Sequence, residues 1–293
     1  MADNWTSSFV PLVLPVDGRR VTIIRSPSLS RFSLMKSLTE LAQYRDLLYT
    51  LTVHRIRVRY KQSILGIAWA VVQPVSMMIA ATLVFSLIAR VPSGDAPYAI
   101  FAYVGLLPWN CFSVSVANAT GGLVSHSQLI TKVYFPREVL PITYVLAALF
   151  DFVIASTVLV PLMIYYSVPL TAKVMYAVPI MAVLTLFSSS MALLLSATQV
   201  RFRDIGVAMP LLLQLWMFAT PILYSLNLVP ERLRDLYMLN PLVSVVESFR
   251  QAILYATTPD LWMLARSALI SILLLLASYV YFKRVEATMA DNI

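Results

Sequence analysis

What most constrains this chain is a series of unbroken apolar stretches, each long enough to cross a hydrocarbon layer of about 30 Å. Six of them run over residues 64–88, 98–117, 139–168, 174–200, 205–229 and 267–282. The first, second, fourth and fifth carry no charged side chain, and the third carries one acid, Asp151. The last is the shortest and gains a turn if Arg266 snorkels to the interface. In hydrocarbon every backbone group must be bonded within its own segment, so each stretch is expected to be a helix. An outer-membrane barrel would alternate apolar and polar residues instead. The sequence therefore predicts an all-α integral membrane protein with six transmembrane helices. Composition agrees, since 59% of the 293 residues are hydrophobic and only 12% charged, against roughly 25% in a soluble domain. Mean hydropathy is +0.79. The single cysteine, Cys111, excludes a disulfide framework and a cysteine-cluster metal site.

A formal charge of +8 resembles a nucleic-acid signal, but its placement says otherwise. Sixteen of the 22 lysines and arginines fall before the first span, in the second and fourth loops, or after the last span. The positive-inside rule then predicts that both termini are cytoplasmic. The charge is read as topology, reinforced by attraction to anionic membrane lipid, and no nucleic-acid partner is expected. The start of the chain lacks a basic segment followed by an apolar core, so no signal peptide is expected. The predicted organisation is an N-terminal cytoplasmic extension over 1–45, a membrane domain over 46–285 and a cytoplasmic tail over 286–293.

Two non-spanning regions look organised. Before span one, Tyr49, Val53, Ile56 and Tyr60 fall on one helical face, flanked by Arg55, Arg57, Arg59 and Lys61. That pattern predicts a basic amphipathic helix at the cytoplasmic interface; a plain positive stop signal is the simpler alternative. Between spans five and six, residues 230–260 are too polar to cross. Leu242, Val245, Val246, Phe249 and Ile253 share a face there, just after a helix-start pair, Asn240-Pro241. Short helices resting in the outer leaflet, or dipping into it, are expected.

Catalytic signatures are missing. There is no G-x-x-x-x-G-K-[ST] phosphate loop, no G-x-S-x-G elbow, and neither His54 nor His126 has zinc-ligand spacing. An acid inside a span is a functional suspect, but a proton relay needs a chain of such groups. Asp151 is therefore expected to be satisfied by a hydroxyl or a basic side chain inside the bundle.

Four pieces of the chain resemble a known family. The run Arg59-Tyr60-Lys61-Gln62-Ser63-Ile64-Leu65-Gly66-Ile67-Ala68-Trp69, followed by Pro74, is similar to the opening of the membrane subunits of export-class (type-2) ABC transporters. The similarity extends to the subunits that export O-antigen, capsular and teichoic-acid polysaccharides. Pro108-Trp109 with Phe112, Phe202-Arg203-Asp204-Ile205, and Thr220-Pro221-Ile222-Leu223-Tyr224 with Asn240-Pro241 agree in order and spacing. The resemblance covers roughly residues 45–285. It implies a homodimer paired with two copies of a nucleotide-binding ATPase subunit, which binds the ATP and magnesium, with no cofactor in this chain. It also implies a lipid-linked polysaccharide as substrate and a bacterial inner-membrane location. The family's coupling helix maps to Tyr134, Phe135, Arg137 and Glu138, with simple capping of span three as the alternative. Arg203 and Asp204 are assigned either a coupling contact or a turn-closing ion pair. Trp69, Trp109, Phe112, Ser113, Asn118, Trp216 and Tyr224 are expected to line a translocation channel, because aromatic faces beside hydroxyl and amide groups suit sugars. The competing expectation is that these rings seal helix contacts. An export permease for a drug or small lipid, and a membrane enzyme of glycolipid assembly, remain open at this point.

Overall fold

The computed structural model describes residues 12–16, 19–23, 43–61, 63–90, 96–132 and 135–292. The chain divides into two units, Met1–Tyr44 and Arg45–Ile293. In the first, β1 (Leu12–Val16) and β2 (Arg19–Ile23) pair antiparallel, Leu12 opposite Ile23 and Val16 opposite Arg19. The sequence reading assigned no structure there.

The second unit is helical. It begins with α1 (Arg45–Tyr60), then a 3-10 turn at Gly66–Ala68 leads into α2 (Trp69–Ala81) and a π-helical end over Thr82–Ile88. Next come α3 (Tyr98–Ser125), the short α4 (Ser127–Lys132), α5 (Val139–Ser156) and α6 (Leu159–Tyr165). The chain continues through α7 (Ala177–Arg201), α8 (Asp204–Phe218), α9 (Glu231–Tyr237), α10 (Pro241–Ile253) and α11 (Leu261–Asn292).

Five helical stretches are long and apolar enough to cross a membrane: Gly66–Ile88, Tyr98–Ser125, Val139–Tyr165, Ala172–Arg201 and Leu261–Glu286. The fifth predicted span differs. Its helix, α8, stops after 15 residues, about 22 Å of rise, and residues 219–230 are not continued as α-helix. Pro221 lacks an amide hydrogen, and Asn227 and Pro230 also favour a break.

The central helix is α3, with 78% of its apolar window buried against 17% for Gly66–Ile88. It packs on α5, α7, α10, α2 and α8, while α11 lies along α7. Several hydroxyls inside these helices are bonded to their own backbone: Ser115 donates to the Cys111 carbonyl, Thr120 to Val116 and Ser271 to Ser267. Back-bonding of this kind lets small polar residues sit in apolar surroundings.

The two helices after α8 part company. Leu233 and Leu236 of α9 are exposed, whereas α10 is buried on nearly every side. The predicted face of α10 is therefore only part of what it buries. Its N-cap forms as the sequence predicts, Asn240 Oδ1 accepting from the Leu242 amide at 3.2 Å. The Asn240 side chain also donates to Thr220 Oγ1 at 3.0 Å, tying this cap to the break after α8.

Candidate functional site: a polar cleft inside the helix bundle

The fully buried Arg250 of α10 donates to the carbonyl oxygens of Pro221, at 2.7 Å, and Ile222, and lies 3.8 Å over the Phe101 ring. Those carbonyls lie just past the end of α8, where no continuing helix supplies amides to them, so one cation satisfies acceptors that the break leaves open. Gly105 gives the guanidinium its space. No sequence signal marked Arg250 as more than a loop charge.

At the other end of the unit, α1 docks on α5. Thr143 and Tyr144 are neighbours on α5 and Asp151 lies two turns further along it, and Arg55 and Arg59, four residues apart, meet them. Arg55 Nε donates to Thr143 Oγ1 at 2.6 Å, and its guanidinium lies 3.4 Å from the Tyr144 ring centre. The other side of that ring rests on the backbone at Gly122 of α3, where a Cβ would collide with it. Arg59 donates to Asp151 Oδ2 and Tyr60 to Asp151 Oδ1. Asp151 is thus satisfied by one basic and one hydroxyl partner, as expected from its isolation. Burial and the bond to Asp151 push the Tyr60 phenol up to about 12, which keeps it a donor. Burial lowers the Arg55 pKa, an effect that Tyr144 opposes. Arg57 and Lys61 point away and are exposed.

This docking makes the floor of a cleft of about 430 Å³ between α1, α2, α3 and α5. Asn110, Val114 and Asn118 of α3 form one wall at helical spacing, and Trp69 and Gln73 of α2 form another. Of the predicted channel residues, the cleft gathers Trp69 and Asn118, together with Arg59 and Tyr60 of the interface helix.

The remaining channel candidates lie elsewhere. Phe112 has no exposed surface; it stacks on Phe187 at 5.2 Å and meets Trp216 edge-on at 5.2 Å. Trp109 is 5% exposed and tilts against Phe112. This aromatic cluster joins α3, α7 and α8. Trp216 also borders a mainly apolar cavity of about 450 Å³ under α9 and α10. Ser113 donates to the Asn110 carbonyl, and Tyr224 donates to the Phe218 carbonyl at 2.9 Å.

The proposed coupling residues are mostly turned inward. Tyr134 lies outside the described residues. Phe135 is 6% exposed and Glu138 1%. Glu138 accepts from Lys283 at 2.9 Å and Tyr279 at 3.1 Å, and Arg137 donates to the Glu286 carbonyl at 2.7 Å. Lys283 also pairs with Glu286 at 2.9 Å. The turn after α4 is therefore fastened to α11, a contact that no local pattern announced. Arg203 and Asp204 are exposed and no ion pair joins them. Their turn is held by Gln199, whose side-chain amide donates to the Arg203 carbonyl at 3.2 Å and lies against Gly206.

A bundle of helices long and apolar enough to cross a membrane, with a polar cleft inside it, has the architecture of a multi-pass helical membrane protein. Residues 46–254 match the ABC-2 type transporter family, and the chain belongs to that family. It is 36% identical over 173 residues to the O-antigen export system permease protein RfbA of Myxococcus xanthus, covering 59% of this chain and 65% of that one. It is 30% identical over 161 residues to the protein of the same name from Klebsiella pneumoniae, covering 55% and 61%. The similarity thus spans a little under two thirds of these relatives' own length.

Proposed function

We propose that this chain is the membrane subunit of an ATP-driven exporter that moves a lipid-linked polysaccharide, such as O-antigen, from the cytoplasmic to the outer face of the bacterial inner membrane. It acts as a homodimer with two copies of an ATPase subunit, which supplies the ATP and magnesium site this sequence lacks. Both termini face the cytoplasm. What carries the reading is the similarity to two O-antigen export permeases together with a cleft lined by amides and an indole inside an apolar bundle. In this reading Trp69 and Asn118 contact the glycan, while Trp109 and Phe112 set the shape of the path from within the core. The exposed residues Gln128, Thr131, Arg203 and Asp204 meet the ATPase, and Phe135 and Glu138 act as a strut behind them.

Deletion of the gene tests this. Surface polysaccharide should disappear while its lipid-linked precursor accumulates in the cytoplasmic leaflet, and a plasmid copy should restore both. Normal surface glycan in the deletion strain, with altered efflux of a drug or small lipid, would replace this reading with the narrower export permease.

A further inference from the structure

The cleft holds hydrogen-bonding capacity that the chain leaves unspent. A carboxylate offers about four acceptor positions, and Arg59 and Tyr60 take one on each oxygen of Asp151. Asn118 spends one amide hydrogen on the Val114 carbonyl at 2.8 Å, which leaves its oxygen. The side-chain amides of Gln73 and Asn110 make no hydrogen bond among the described residues, and both line the same space. Trp69 stands there with 49% of its surface exposed. Unspent amides within apolar helices are costly unless a polar occupant meets them.

Charge decides what that occupant is. The Arg59 and Asp151 charges cancel, so the cleft is electrically neutral, and a phosphate placed in it would face the Asp151 carboxylate. Anionic groups find a better place beside Arg57 and Lys61, which are exposed outside the cleft. A neutral sugar ring suits the interior: its hydroxyls can donate to Asp151 and exchange bonds with the amides, and its apolar face, which an open-chain polyol lacks, can lie on Trp69. The volume falls in the range of about 300–1,000 Å³ usual for small-molecule pockets.

We infer that this cleft is a sugar-binding subsite within one protomer, taking one or two neutral sugar residues of the glycan. Asp151 serves as a hydroxyl acceptor whose orientation Arg59 and Tyr60 fix. The inference rests on the glycan-export reading but is tested apart from it.

The test uses the full chain in nanodiscs, with Cys111→Ala and Ala70→Cys placing one reactive thiol at the cleft. Labelling by a maleimide is timed with methyl α-mannoside, methyl α-rhamnoside or methyl N-acetyl-β-glucosaminide, and with sorbitol or inorganic pyrophosphate as controls. At least one glycoside should slow labelling by the factor 1 + [L]/Kd, about fivefold at about four times Kd, while the controls do not. Asn118→Leu should abolish that protection without shifting the melting temperature. Quenching of Trp69 fluorescence, taken as the difference from Trp69→Phe, gives a second readout with no introduced cysteine. Absence of protection and quenching by every glycoside, equal protection by pyrophosphate, or protection that survives Asn118→Leu would each overturn the subsite. Loss of the subsite with the deletion phenotype intact removes this inference alone. Normal surface glycan after deletion removes the export reading.

Discussion

Gly105→Ala probes the least visible contact in the fold. A methyl group at position 105 would lie 2.7 Å from Arg250 Nη2 and 2.7 Å from the Ile222 carbonyl oxygen. The carbonyl is backbone and Arg250 is fully buried, so neither moves aside cheaply. If the guanidinium shifts, it gives up at least one bond from a charged donor, worth about 1.5–3 kcal/mol, and overpacking adds about 1–3 kcal/mol. Alanine returns about 1 kcal/mol as the better helix former. The net expectation is a loss of roughly 2–4 kcal/mol. Unfolding by SDS in mixed micelles, followed by tryptophan fluorescence, reads this directly, because about 3 kcal/mol changes the folded-to-unfolded ratio more than a hundredfold. The coupling is specific: in an Arg250→Met background the same alanine should cost measurably less, since only the clash with the Ile222 carbonyl remains. Stability of Gly105→Ala within about 0.5 kcal/mol of the unsubstituted chain, or an equal penalty in both backgrounds, would refute the clamp.

Glu138→Leu should destabilise the chain by about 2 kcal/mol, below the roughly 3–5 kcal/mol of a broken buried pair because Lys283 retains Glu286. The exchange Glu138→Lys with Lys283→Glu should restore at least half of that in the same SDS titration, and no restoration would count against the strut. Asp151→Asn removes the charge facing Arg59, so amide hydrogen exchange over residues 53–60 should accelerate, whereas Arg57→Gln, on the exposed side, should leave it unchanged. The Tyr60 phenol is raised in the folded chain, so its stabilising bond to Asp151 is fully present below the ordinary phenol value near 10 and is lost as pH rises through about 12. Exchange in α1 should accordingly be constant, after correction for intrinsic rates, from about pH 6 to 9; a loss of protection inside that window would contradict the assignment. The purified chain should hydrolyse no ATP until its ATPase partner is added, and unaided hydrolysis would defeat the reading from the missing phosphate loop.

Much of the helical frame was legible because the membrane reduces the choice of backbone to one. The helix before the first span was legible too, since Val53, Ile56 and Tyr60 repeat at helical spacing. Span five was legible only as an apolar stretch: hydropathy registers residues 219–229 as apolar without registering that Pro221 cannot continue the bonding. Its repair comes from Arg250, 29 residues later, and no local window contains both. Two further contacts escape a local window for the same reason. Glu138 reads locally as a coupling-loop acid, yet its partner Lys283 is 145 residues away. Phe112 reads as a channel ring, yet Phe187 and Trp216 enclose it from two other helices.

A separate set of long-range polar contacts converges on α5. Near its start, Glu138 and Arg137 fasten the preceding turn to Lys283 and Glu286 of α11. Along its length, Thr143 and Asp151 receive Arg55 and Arg59 of α1, and Tyr144 is held between Arg55 and Gly122 of α3. Farther along, Ala155 closes the cleft and its carbonyl accepts from Tyr103 of α3 at 2.8 Å. Any displacement of α1 against α11 must therefore be absorbed by α5, either by breaking one of these polar ties or by carrying Asp151 with it. Packed interiors resist continuous deformation, so the second course keeps every bond. It moves the one carboxylate of the cleft relative to the amides of Asn110 and Asn118 on α3. The same side chain that anchors the interface helix also sets the polarity of the cleft, so the position of α1 and the shape of the polar site cannot vary independently.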